Sequence, residues 1–487
     1  MEAFIEILTV VVRTVSGFFW GPPLFIGVLG TGIYYTIAFK GAYQLRGRHH
    51  WKNTFGTMFA KDVEGEGTVR SFAAAMVSIS SVIGVGNIAG PATALVSGGP
   101  GAVFWMWMTA LVGMSTKAAE ITLGQRYRVY FEGIDEYLCG RAYVLQNGLG
   151  WRRLAQGLSW IVVTSPWALL VQTNAVATSI QEAFNVPVTV GIAFIMVTLG
   201  ITIIGGVRRI AAVADKVVPV MAVFYITAGI ILVAMNLSEI PAMFMSIVGN
   251  SFTPYAGAGA VAGATVAEAM RFGVARGVYS NEAGMGTGFN VHAAAIVDHP
   301  IRQASWGFGE CFLDTLIVCS ITVFAIMATG ANFANPDVTG AALVTIAWQI
   351  AYGYWGGVIV ALATTFFAWT TLLTAYYGGE KRVNFLAGDT RLNRIAMWAF
   401  IVYFIAPMVF AGADTGLLWL ISDTVLIIGV TSSILALLLL RKEVVRLHYD
   451  YWDRFIPGIE RGEKPDRVSY GLSPNYWDEH FKKKNKG

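Results

Sequence analysis

Ser80-Ser81-Val82-Ile83-Gly84-Val85-Gly86-Asn87-Ile88-Ala89-Gly90 stands inside an apolar block running from about residue 72 to 97. Ser280-Asn281-Glu282-Ala283-Gly284-Met285-Gly286-Thr287-Gly288 stands inside a second block near 257–297. Helix interiors avoid glycine, each one costing about 1 kcal/mol against alanine. Hydrocarbon cannot satisfy an opened backbone, so an unwound segment survives in a membrane only against protein or a wet cavity. Two readings of these runs stand side by side. In one, small residues let helices pack closely, a role that suits Gly86 and Gly90. In the other, both helices break, freed carbonyls coordinate a cation, and half-helix N-termini attract a carboxylate.

Composition places both runs in a membrane. Of 487 residues, 55% are hydrophobic and 13% charged, against about 25% charged in a soluble domain. Ile192 to Ile204, Val217 to Met235, Leu316 to Ala328 and Thr424 to Leu440 carry no charge at all. About 20 such residues cross about 30 Å of hydrocarbon as a helix. A membrane barrel would alternate over segments of about ten residues, and this chain does not. The apolar blocks predict an all-α integral membrane protein with eleven spans. They lie near 22–40, 72–97, 101–125, 156–181, 187–205, 217–235, 257–297, 306–330, 341–377, 394–411 and 415–440. Two of these, 257–297 and 341–377, are overlong and have room for an extra non-spanning helix or an interruption. The first twenty residues are amphipathic and predict a helix on the membrane surface.

Basic residues test that count. Segments 40–70, 126–155, 207–216, 378–394 and 441–487 hold 29 of the 34 Lys and Arg. The alternate connections, near 98–100, 182–186, 236–256, 331–340 and 412–414, hold none. Lys and Arg resist translocation, so the pattern predicts the N-terminus outside, the C-terminus in the cytoplasm, and a cell (inner) membrane location. The net charge of +4 is this asymmetry and gives no reason to invoke nucleic acid. The tail Lys482 to Lys486 suits either anionic headgroups or solvent. Glu2 and Glu6 replace the basic start of a cleavable signal, so none is expected. Cys311 and Cys319 lie about 12 Å apart along one helix, too far for a disulfide, and Cys139 is remote in sequence. The six histidines show no metal-ligand spacing.

Setting the first span aside leaves ten, and the glycine-rich runs fall in the first and sixth. Five helices followed by five more of opposite orientation make an inverted-topology repeat, with a site between the two broken helices. The expected organisation is therefore 1–71 (surface helix, extra span and loop), 72–235 (first repeat), 236–440 (second repeat) and 441–487 (cytoplasmic tail).

Several motifs resemble the alanine or glycine:cation symporter family. They include Gly84 to Gly90, Gly98-Gly99-Pro100-Gly101-Ala102-Val103-Phe104-Trp105-Met106-Trp107 and Gly113-Met114-Ser115-Thr116-Lys117. Ala275-Arg276-Gly277-Val278-Tyr279-Ser280-Asn281-Glu282-Ala283-Gly284-Met285-Gly286, His292-Ala293-Ala294-Ala295 and His299-Pro300 carry the same likeness. It runs from about residue 20 to 440. It implies the amino acid–polyamine–organocation group, the leucine-transporter fold with one extra N-terminal helix, and uptake of alanine or glycine with sodium. Sodium-coupled relatives of that fold hold one sodium between the first and eighth core helices. Carried over, this implies carbonyls of Ser80 and Ile83, the carbonyl of Ala361, and the hydroxyls of Thr364 and Thr365. Those threonines equally suit bonds back to their own helix.

Asn87 is the first candidate for substrate or ion, because its amide serves either and burying it unpaired costs about 1–3 kcal/mol. Gln172, in Val171-Gln172-Thr173-Asn174, matches a Gln-x-Asn stretch of the family and is the next. Gly84, Gly86 and Gly284 offer backbone. Met285 and Trp369 suit either a pocket wall or packing. Among charges, Lys117 and Glu120 have the spacing of a structural ion pair. Glu268, Arg271, Arg276 and Glu282 gather at the broken seventh span as an inner gate or helix-end pair. Glu310 and Asp314, one turn apart near a helix end, are expected to be wet.

The chain also departs from the family. Val82-Ile83-Gly84-Val85-Gly86-Asn87 stands where Thr-Val-Gly-Thr-Gly-Asn is usual, which removes two hydroxyls. Thr287-Gly288-Phe289 replaces Ser-Ala-Pro, and Leu373 to Gly379 replaces Gly-Trp-Ser-Tyr-Tyr-Gly-Glu. These changes touch the choice of substrate more than the coupling. The resulting expectation is a sodium-coupled carrier of a small neutral amino acid, alanine or glycine, working by alternating access. A proton-coupled or differently specific carrier of the same fold is the alternative, with a channel behind it. A polytopic enzyme would need a nucleophile, acid–base pair or metal set at a bilayer face, and none stands out.

Overall fold

The bends of this chain are decided by glycine, proline and buried amides as much as by apolar runs. A computed structural model describes residues 10, 14–58, 65–131, 136–163, 166–204, 206–253, 265–335, 337–387 and 391–463, nearly all of them helical. The tail Lys482 to Lys486 and most of the expected surface helix lie outside the described residues. What is described there, from Thr14, runs on into the first apolar helix, Thr14–Ala38.

In chain order the main helices are α1 Pro22–Ala38, α2 Ser71–Val82, α3 Ala89–Gly98, α4 Gly101–Arg126, α5 Arg152–Val163 and α6 Leu170–Phe184. There follow α7 Val188–Ile203, α8 Gly206–Met235, α9 Ile240–Gly249, α10 Val266–Asn281 and α11 Pro300–Thr329. The last five are α12 Gly340–Tyr352, α13 Tyr354–Ala387, α14 Arg391–Ile405, α15 Thr415–Leu439 and α16 Arg441–Tyr449. Among the described residues, six helical segments are long and apolar enough to cross a membrane. The pair Ser71–Val82 and Val85–Gly98, bent by 58°, makes a seventh. Three other expected spans, α4, α6 and α10, carry charge or are shorter, and α7 is apolar but short.

The overlong blocks divide as their length allowed. Block 341–377 holds two helices, α12 and α13, parted at Gly353, whose φ of +62° suits glycine. α13 then runs ten residues past the expected end, to Ala387. Block 257–297 gives α10, an unwound stretch, a short helix Gly288–Val291 and a strand Ala295–Ile296. The expected helix 156–181 is instead interrupted: Pro166 cannot donate to a helical ladder, and a tight turn Pro166–Leu169 separates α5 from α6.

Two small ladders tie the connections of one side together. β1 Val69–Arg70 pairs parallel with β4 Ala295–Ile296, and β2 Val129–Phe131 pairs antiparallel with β3 Glu136–Leu138. Arg128 Nη1 donates to the carbonyls of Ala293 and Ala295, both at 2.9 Å. Arg126 Nε meets Glu443 Oε1 at 2.6 Å, Lys381 Nζ meets Glu136 Oε1 at 3.2 Å, and His49 Nε2 lies 3.2 Å from Tyr451 Oη. The basic connections thus converge on what is called here the basic side. At the opposite side, Trp105 Nε1 donates to Ser251 O at 3.1 Å and Asn174 Nδ2 to Ala411 O at 2.8 Å.

Candidate functional site

Both glycine-rich runs are breaks in helices, and they face one another across a cavity of about 170 Å³. In the first, Ile83 leaves the helix (φ −78°, ψ 85°) and Gly84 is extended. A Cβ on Gly84 would collide with Thr371 Oγ1, and one on Gly86 would sit 3.1 Å from Tyr279 O. In the second, Glu282 adopts the left-handed conformation (φ 56°), with Gly284 at +92° and Gly286 at +80°. The opened N–H groups are taken by side chains, as a membrane interior demands. Asn87 Oδ1 accepts from Gly84 N at 3.1 Å and Gln172 Oε1 from Val85 N at 3.1 Å. Glu120 bridges the second break, accepting from Gly286 N at 2.8 Å and Gly288 N at 3.2 Å.

Beside the first break lies a cluster of neutral oxygens. Thr371 Oγ1 is 3.1 Å from Ser80 O and 3.4 Å from Ser81 O, and Thr374 Oγ1 is 2.6 Å from Ser80 Oγ. α13 therefore brings Thr371 and Thr374 against Ser80. The expected pair lies about two turns back: Thr365 Oγ1 donates to Ala361 O at 2.6 Å, and buried Thr364 Oγ1 has no hydrogen-bond partner among the described residues. The shared spacing explains the offset. Phe367-Ala368-Trp369-Thr370-Thr371 places two threonines after an apolar residue just as Ala361 to Thr365 does, and the block's ends gave no register to choose between them.

Asn87 is wholly buried and away from the cavity lining. Its Nδ2 donates to Asp314 Oδ1, and Asp314 also accepts from Ser280 Oγ and from Thr315 Oγ1. Glu310 and Asp314 are not wet: both have 0% exposure, because this face of α11 packs inward, Glu310 against His292 and Asp314 against Asn87 and Ser280. Lys117 does not bond Glu120 but reaches Glu310 Oε2 at 3.5 Å and Glu282 Oε2 at 3.9 Å. Gln303 Nε2 donates to His292 Nδ1 at 2.9 Å, which leaves His292 Nε2–H to donate to Glu310 Oε1 at 2.8 Å. Glu282 lies on the cavity wall; Ser81 Oγ donates to its Oε1 at 2.9 Å, and its Oε2 accepts no hydrogen bond.

Of the other expected site residues, Gly84, Gly86, Gln172 and Met285 line the cavity. Gly284 and Trp369 do not: Gly284 faces Ile434 and Thr116, and Trp369 packs against the core. On the side opposite the basic one the cavity wall is built on Tyr279. There Tyr279 stands edge-on to Trp419 at 4.8 Å, and Arg276 covers the Trp419 ring at 4.0 Å. Arg276 Nη2 also meets Asp423 Oδ2 at 2.5 Å. Arg276 thus pairs with Asp423 and Trp419 and not with Glu282, and Glu268 caps α10 through Thr265. Towards the basic side the walls are Arg141, Asn290, Gly378 and Arg382.

Comparison with known proteins bears on this arrangement. A family model described as the sodium:alanine symporter family matches residues 5–464. The Bacillus subtilis (strain 168) protein called uncharacterized transporter YflA is 39% identical over 456 residues, 92% of this chain and 94% of its own. The sodium/alanine symporter AgcS of Methanococcus maripaludis is 38% identical over 448 residues, 89% and 95% respectively. Among solved structures, MhsT in complex with L-phenylalanine matches with a TM-score of 0.56 at 12% identity, covering 79% of this chain and 93% of that one. That last likeness is one of fold.

Proposed function

The chain belongs to the sodium:alanine symporter family, and from that premise we propose that it carries alanine or glycine together with sodium by alternating access. It is a cation-coupled amino acid symporter and a multi-pass membrane protein. The finer reading keeps eleven spans, five plus five inverted behind one extra helix, with the repeats at 72–235 and 236–440 and the basic side in the cytoplasm. Charge placement supports that orientation, since the connections meeting on the basic side carry the Lys and Arg.

The observation that carries the reading is the pair of broken helices facing one cavity with complementary chemistry. In this reading sodium sits beside Ser80, among the carbonyls of Ser80 and Ile83 and the hydroxyls of Thr371 and Thr374. A small hard cation favours such neutral oxygens. In this reading the amino acid sits in the cavity, its carboxylate towards the opened backbone of Gly84 to Gly86 and its ammonium towards Glu282 Oε2, which has Lys117 Nζ at 3.9 Å but no hydrogen-bond donor among the described residues. Val82, Val85 and the close approach of Tyr279 to Gly86 leave little room for a side chain. Asn87 acts indirectly, by holding Gly84 open and Asp314 in place. In this reading Tyr279, Trp419, Arg276 and Asp423 form the outer gate. A 100 mV potential supplies about 2.3 kcal/mol per sodium, and a tenfold gradient about 1.4 kcal/mol more. Together they sustain several-hundred-fold accumulation.

Competition against labelled alanine in proteoliposomes tests the pocket. Glycine and alanine should compete best, serine and cysteine less, and leucine, aromatic and charged amino acids not at all. Competition by large or charged amino acids without glycine or alanine would contradict the substrate assignment.

A further inference from the structure

The mouth of the cavity on the basic side carries positive charge that the transport reading does not use. Arg141 and Arg382 both line the main cavity, and both also line a smaller one of about 30 Å³ that continues beyond it. Arg141 is fixed from behind: its Nε donates to Ser433 Oγ at 2.8 Å, and its Nη2 donates to the Met285 carbonyl at the second helix break. Among the described residues, neither guanidinium has a carboxylate within 4.0 Å. The neighbouring cation Lys381 is already matched by Glu136 at 3.2 Å, so the excess charge belongs to the arginines. Glycines keep the space around them open. A Cβ on Gly429 would come within 3.3 Å of Arg141 Nη2, and one on Gly286 within 3.1 Å of Arg141 Nε. Asn290 adds an amide to the same wall of both cavities.

We propose that Arg141 and Arg382 form an anion site at this mouth that takes a carboxylate. Two guanidiniums sharing a partly dehydrated cavity repel one another, and a carboxylate between them relieves that repulsion while filling their planar donor forks. The carboxylate is that of the amino acid on its way out, handed from the opened backbone of Gly84 to the arginines; the same positive pair drives sodium apart from it into water. The inference rests on the cavity being the transport path. A free small anion shares this chemistry, and the test separates the two sources.

Saturation-transfer NMR of acetate with purified, sodium-free protein reads the site directly. Wild type should give a saturable acetate signal, Arg382→Gln should weaken binding at least tenfold, and Arg382→Lys should restore part of it. Thermal melting confirms that each variant is folded. Displacement of acetate by alanine but not by chloride supports the leaving substrate as occupant; displacement by chloride supports a free anion at the same site. No saturable acetate signal in wild type, or an unchanged one in both Arg382→Gln and Arg141→Gln, overturns the proposal. Sodium-driven alanine uptake by wild-type proteoliposomes is measured alongside, and its absence would sink the transport reading whatever acetate does.

Discussion

Thr371 shows how far single residues were legible. The carbonyls of the first broken helix were expected to meet a threonine pair on the eighth core helix. Ser80 does meet threonines there, but the contacts fall on Thr371 and Thr374, not on Thr364 and Thr365. Sequence supplies spacing, whereas the register of one helix against another comes from packing across the whole bundle. Thr371→Ala should therefore raise the sodium concentration for half-maximal uptake about tenfold, equivalent to about 1.4 kcal/mol. Thr364→Ala should shift it much less, and the reverse order would refute the placement. Glu282→Gln tests the ammonium partner. Bonds to a charged group are worth about 1.5–3 kcal/mol, so apparent alanine affinity should fall ten- to hundredfold. A variant with unaltered affinity would exclude Glu282 from the pocket.

Elements were read better than their ends. Both helix breaks lie where the glycine runs stand, since a side chain would be strained at the φ of Gly284 and Gly286 and tight against Tyr279 at Gly86. Pro166 marks the turn before α6, although the apolar count ran straight over it. The burial of Glu310 and Asp314 was not legible at all, because it depends on which neighbours α11 packs against, His292 for one and Asn87 for the other, and these lie outside α11. On the basic side lie two buried histidines, His50 and His448 of α16, whose state follows from packing. His50 accepts at Nδ1 from Ser305 Oγ at 3.1 Å and donates from Nε2 to Ala42 O at 3.1 Å, and His448 stacks on Phe39 at 4.3 Å. Burial lowers His50 to about 4 and His448 to about 3, with Arg46 adding to both. The unfolded chain therefore takes up protons first as pH falls below about 6.5, and stability is lost towards pH 4. Melting temperature should fall over that window, and His448→Phe, which keeps the stack, should flatten the fall. An equally steep fall in the variant would remove His448 from the account.

At the scale of the whole molecule, charge asymmetry and apolar blocks carried the class, and the two breaks carried the carrier mechanism. Orientation is testable on its own. A cysteine placed at Phe333 should label from outside, and one at Ala387, at the partly exposed end of α13, only from inside; labelling of both from one side would overturn the eleven-span topology. The central claim is that the cavity between the broken helices binds an amino acid and sodium together and opens to each side in turn. Counterflow tests it most directly. Proteoliposomes loaded with unlabelled alanine and equal sodium on both sides should transiently accumulate labelled alanine, and should fail to do so when sodium is replaced by potassium. Labelled alanine that only equilibrates, with no overshoot, or an overshoot indifferent to sodium, would contradict the account.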